Sequence, residues 1–116
     1  MQAHPVAADV QNIGPAELAR WLADPARQRP LLLDVREPWE FEICRIEGSM
    51  LVPLREVPMR AAELDPDADT VVICHHGGRS LQAALYLARQ GFARVWNLAG
   101  GVDAWARAVD PAMRRY

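Results

Sequence analysis

Cys74 is followed by His75-His76-Gly77-Gly78-Arg79-Ser80, with the β-branched run TVVI before it and a long amphipathic stretch after it. A thiol so placed lies where a strand ends and a glycine-rich turn enters a helix, the edge at which parallel α/β sheets collect their ligands. The first amides of a helix have no intrahelical partner and carry the positive end of its dipole. A sulfur held over them is favoured as thiolate, the nucleophilic form. Arg79 is expected to add a fixed positive charge able to bind an incoming oxyanion. Gly77 and Gly78 permit the backbone angles that turn successive N–H groups inward as an anion-binding nest. Taken alone, Cys74 has a bland reading as a small buried residue. The combination C-x-x-G-x-R-S favours a thiolate that handles anions.

The neighbouring candidates carry weaker signals. Asp34 and Arg36 end the run LLLDV and are expected on the same rim as Cys74, chiefly as a salt-bridged or turn-capping pair at the pocket edge. Trp39 follows the DVREP loop and is a candidate for the pocket wall. Cys44 is expected to be passive, with a resolving-thiol role as the alternative. His75 and His76 are expected as solvated loop residues, with substrate contact that sets donor preference as the alternative; if protonated, they add to the positive field around the sulfur. Cys74, His75 and His76 are all metal-ligand types. Adjacent residues in a tight loop do not readily aim at one ion, and C-x-x-C and H-x-x-x-H spacings are missing, so no metal site is expected.

Several elements must position these residues. Gly14-Pro15-Ala16-Glu17 is a helix start, predicting a helix to about Ala23. LLLDV has the continuous apolar character of a strand buried on both faces. A helical turn is expected near Trp39 to Glu42, then a turn at Gly48 and a brief strand at Met50 to Val52. LREVPMRAAEL has helical spacing, and Pro58 is expected to interrupt it. TVVIC is a strand. Leu81, Ala84, Leu85 and Ala88 are expected as the buried stripe of the helix that Gly91 ends. ARVWNL and GGVDAWARA supply a last strand and helix, with Gly100-Gly101 as the turn between them. Residues 1 to 12 show no clear periodicity until Val10.

The alternation predicts an α/β fold with a central, mostly parallel sheet flanked by helices on both faces. A chain of 116 residues with 51% apolar content suits one domain, 1–116. The 13 basic and 15 acidic residues leave a formal charge of −2, which argues against nucleic acid or an anionic membrane as partner. No stretch reaches the ~18 apolar residues of a membrane span and the N-terminus lacks a leader pattern, so a cytoplasmic location is expected. Two cysteines are too few for a disulfide framework.

The stretch CHHGGRSLQAALYLARQGFARVWNLAGGVDAW, with LLLDVRE upstream, resembles a single-domain rhodanese, a sulfurtransferase. The resemblance implies that Cys74 attacks a sulfane-sulfur donor, a small anion such as thiosulfate, keeps one sulfur as a persulfide, and passes it to cyanide, a thiol or a sulfur-carrier protein. It implies an active-site loop from Cys74 through Arg79, with Ser80 beginning the helix, and no bound cofactor. The family's Gly-His-Ile-Pro-Gly-Ala corner is represented by Cys44-Arg45-Ile46-Glu47-Gly48-Ser49. The tail VDPAMRRY resembles that of rhodanese domains fused to adenylating enzymes, which points to a carrier-protein acceptor. The alternatives are a cysteine phosphatase or arsenate reductase on the related fold, and a non-catalytic regulatory domain. Four residues separate Cys74 from Arg79, one fewer than in the phosphatases, and regulatory members usually lack the cysteine.

Overall fold

The computed structural model describes residues 10–116. Its five strands, β1 (Val10–Ile13), β2 (Leu31–Asp34), β3 (Met50–Leu51), β4 (Asp69–Ile73) and β5 (Arg94–Leu98), pair in parallel in the order β1-β5-β4-β2-β3. Parallel neighbours need crossovers, and helices supply most of them. On one face lie α1 (Pro15–Ala23) and α5 (Gly101–Ala108), which bring Leu18, Trp21, Val102 and Trp105 onto Leu32, Val71, Ile73 and Leu98. On the other face, α3 (Val57–Arg60) and α4 (Gly78–Arg89) bring Val57, Ala83, Ala84 and Leu87 onto Leu33, Val72 and Val95. Successive strand residues thus feed opposite cores, which is why LLLDV and TVVIC are apolar throughout rather than alternating.

The register pairs Asp34 of β2 with Ile73 of β4, so the chain leaves both strands at one rim. From β2 it proceeds outward to β3, and from β4 it proceeds the opposite way to β5. This reversal opens a crevice between the two strand ends. The short helix α2 (Pro38–Ile43) follows β2 at that rim. The corner after it turns at Gly48 with φ +88°, the Ser49 N–H bonding the Ile46 carbonyl at 3.1 Å while Ile46 is buried.

The structure sharpens three sequence expectations. Val10–Ile13 forms the edge strand β1, and with only Ile13 fully buried it shows little periodicity. The reading of residues 1–9 as aperiodic lies outside the described residues. The stretch around Pro58 is interrupted, as expected, though into three short pieces rather than two: 3₁₀ turns at Leu54–Glu56 and Ala61–Glu63 flank α3, and Pro58 falls in the first turn of α3, where its missing N–H costs nothing. In α4 the buried positions are Ser80, Ala83, Ala84 and Leu87, and Leu81 is 40% exposed. The helix is rotated from the expected stripe because its first turn must bring Ser80 to the sulfur.

Candidate active site

Cys74 leaves the end of β4 with its side chain 1% exposed. Its sulfur accepts the backbone N–H of Gly77 at 3.1 Å and of Ser80 at 3.3 Å. The thiol donates to Ser80 Oγ at 3.2 Å, and Ser80 Oγ donates to Asn97 Oδ1 at 2.5 Å. Asn97 Nδ2 in turn donates to the Gly77 carbonyl at 3.3 Å. Each N–H aimed at the sulfur stabilises negative charge there, and burial removes the water that would compete.

Two glycines make this possible. Gly77 has φ +110°, a left-handed conformation that a side chain would strain, and it turns the N–H inward at the start of α4. The carbonyls of Cys74 and His75 accept the N–H groups of Val102 and Asp103 in the first turn of α5, at 2.9 and 3.1 Å. Loop carbonyls therefore face α5 while loop amides remain for the sulfur. Gly101, at φ +62°, lies so near that a Cβ would run into the carbonyl oxygens of Cys74 and His75.

A second polar group surrounds this loop. Arg79 donates from both terminal nitrogens to both oxygens of Glu40, at 2.7 and 2.9 Å. Glu40, on α2, is buried and also accepts the Tyr116 hydroxyl at 2.8 Å and the Glu37 N–H at 2.9 Å. The Arg79 hydrogen bond is the main reason its carboxyl is held down to about 2, against the opposing cost of burial. Arg36 donates to Asp34, to the Cys44 carbonyl at 2.7 Å and to Tyr116 Oη at 2.9 Å. Burial works against the Arg36 charge, yet Asp34 and Tyr116 hold it more firmly protonated than usual. Burial also pushes the Tyr116 phenol up to about 12, so it stays protonated and donates.

The expected site residues separate into three groups. The residues from Cys74 through Ser80 form one continuous turn, with the helix already begun at Gly78. Arg79 is there, but Glu40 compensates its charge. Asp34 and Arg36 lie at the end of β2 as a salt-bridged pair at 2.8 Å, and both are 0% exposed. They brace the floor instead of edging the pocket. Trp39 is 60% exposed and meets Tyr116 edge-on, with ring centroids 5.9 Å apart.

His75 stacks between His76 and Tyr116, with both centroid distances 3.9 Å. Burial, then the neighbouring His76, pushes its pKa down, which disfavours the protonated form that would add to the positive field around the sulfur. Ligand atoms of His75, His76 and Asp103 do lie within 4.8 Å of one another. The two imidazole planes are only 25° apart and face to face, so their in-plane lone pairs do not converge. Asp103 is meanwhile bound by Arg107 at 2.8 Å and Arg115 at 3.4 Å.

Sequence reasoning missed Glu40, Asn97, Tyr116 and the contact role of Gly101. Glu40 had a signal, an acidic residue three positions after the Glu37 that precedes Pro38. Asn97 had one too, a lone amide inside an apolar strand. Tyr116 had none, since its contact is made across the whole fold.

The family described as "Rhodanese-like domain" matches residues 14–108, and the chain belongs to that family. A protein named "Sulfurtransferase" from Allochromatium vinosum is 41% identical over 98 residues, covering 84% of this chain and 90% of its own length. One named "Thiosulfate sulfurtransferase GlpE" from Pseudomonas aeruginosa is 40% identical over 102 residues, covering 88% of each. The plant "Rhodanese-like/PpiC domain-containing protein 12, chloroplastic" from Arabidopsis thaliana is 40% identical over 112 residues, and the match spans 92% of this chain but 38% of that protein. Among solved structures, a rhodanese-related protein from Thermoplasma volcanium has a TM-score of 0.75 at 30% identity, covering 85% of this chain and 93% of that one. The sheet and its flanking helices are therefore the rhodanese fold.

Proposed function

We propose that this protein is a sulfurtransferase that carries one sulfane sulfur at a time on Cys74. The observation that carries this reading is the pair of backbone N–H groups directed at a buried sulfur. Cys74 thiolate attacks the outer sulfur of a sulfane-sulfur donor, of which thiosulfate is the simplest. The donor's S–S bond breaks, sulfite or a thiolate leaves with the bonding pair, and Cys74 holds a persulfide. A thiol, cyanide or a sulfur-carrier protein then attacks the outer sulfur and regenerates the thiolate. Electrons balance in both halves without a redox cofactor. Gly77 and Ser80 stabilise the charged sulfur, Asn97 fixes Ser80, and α5 holds the loop open-side inward. The names of the relatives from Allochromatium and Pseudomonas support the reaction class.

Intact-mass spectrometry after incubation with thiosulfate tests the proposal. A reductant-sensitive gain of one sulfur is expected, and Cys74→Ser abolishes it together with transfer to cyanide. Retention of either in Cys74→Ser, or Cys74-dependent hydrolysis of aryl phosphates by the unaltered protein, would overturn it.

A further inference from the structure

Beside the first turn of α4 lies a cleft of about 490 Å³, walled by Leu54, Val57, Pro58, Ala83 and Tyr86, with Arg55 and Arg79 at its charged margin. That volume falls within the range of small organic ligands. Both cations of the margin are already paired. Arg55 is bound by both oxygens of Glu37, at 2.7 and 2.6 Å, and Arg79 by both oxygens of Glu40. Glu40 is to Arg79 what the oxygens of a donor anion would be, and Tyr116 and the Glu37 N–H pin it in place. An oxyanion arriving at this loop therefore meets a guanidinium each of whose terminal nitrogens already donates to Glu40, beside a fixed negative charge. Glu40 stays ionised throughout the neutral range, and neighbouring His75 is pushed towards its neutral form. The amides at the sulfur remain, and they suit an acceptor atom of small size and single charge.

We infer that Glu40 is a specificity-determining residue that disfavours compact dianions such as thiosulfate, and that the preferred donor is an organic persulfide whose apolar R group occupies the cleft. This deepens the sulfurtransferase reading and rests on it. Cys74 thiolate attacks the outer sulfur of R–S–SH, the S–S bond breaks, R–S⁻ departs with the electron pair, and Cys74 carries S–SH. Atoms and charge balance with no further reactant.

The test is single-turnover loading of Cys74, followed by intact mass with Cys74→Ser as blank, from thiosulfate and from benzyl persulfide. The unaltered protein is expected to load faster from benzyl persulfide. Glu40→Gln should raise loading from thiosulfate by about tenfold relative to benzyl persulfide, the effect of freeing one charge-assisted contact. Tyr86→Ala should slow benzyl persulfide more than thiosulfate. A folded Glu40→Gln protein with an unchanged donor ratio would overturn the inference while leaving the persulfide mechanism intact. Should that variant not fold, the unaltered protein decides: thiosulfate loading that is flat or rising with salt supports the inference, and a steep fall, as for a cationic anion trap, overturns it. No loading from either donor would overturn the sulfurtransferase reading and this inference with it.

Discussion

The two cysteines sit in opposite kinds of surroundings. Cys44 caps the end of α2, half-buried, with an arginine nitrogen 3.7 Å from its sulfur. Cys74 is almost fully buried, and backbone amides and one serine supply its close polar contacts. A direct arginine contact to sulfur would favour Cys44. The Arg36 charge there is committed to Asp34 and to carbonyls, however, whereas the amides at Cys74 have no other acceptor to serve among the described residues. Backbone geometry, not a neighbouring cation, distinguishes the position proposed to carry sulfur.

The strongest way to break this comparison is to remove Arg36. If it exists to hold the scaffold, Arg36→Met leaves Asp34 buried and unpaired and costs about 3–5 kcal/mol, read as a lowered denaturation midpoint. If the folded variant keeps its stability while Cys44 changes in reactivity towards an alkylating reagent, the contrast fails. Gly101→Ala attacks the other side. Pushing a methyl group into the loop carbonyls should cost about 1–3 kcal/mol and slow sulfur transfer, because the amides lose their aim. Normal transfer in a destabilised Gly101→Ala protein would show that the amide ring is dispensable.

Acid sharpens the electrostatic half of the contrast. Glu40 has its folded pKa depressed from 4.5 to about 2, mainly by Arg79, so its contribution is complete above the unfolded value and is lost as pH falls towards the folded one. Stability should therefore decline between those values, and Glu40→Gln should flatten that decline in acid titrations followed by circular dichroism. The smallest effect is expected for Cys44→Ser, within about 0.5 kcal/mol in stability and with persulfide formation and transfer retained. A stalled persulfide in that variant would make Cys44 a resolving thiol.

What the sequence made legible was local. The apolar runs LLLDV and TVVIC mark strands covered on both faces, and Cys74 through Ser80 mark a turn into a helix because glycine and an N-terminal helical turn leave signatures over a few residues. The pairing of Arg79 was not legible, since its partner Glu40 lies 39 positions away. Nor was the fit of Gly101 against the loop, which depends on how α5 returns across the sheet. The pair Asp34 and Arg36 was legible as a pair but not in depth, because a strand end in a parallel sheet is exposed or buried according to what the following helix covers.

The hydrogen bonds from Gly77 and Ser80 to the sulfur also make that sulfur observable without chemistry. An amide proton's magnetic resonance follows the charge and distance of its acceptor, and these two protons share one acceptor atom. Loading Cys74 with a second sulfur moves the charge one bond outward and must shift both resonances together, while amides elsewhere in α4 keep theirs. In a nitrogen-15-labelled sample those two signals would act as an internal gauge of how much of the protein carries sulfur, read continuously and without a substrate that changes colour.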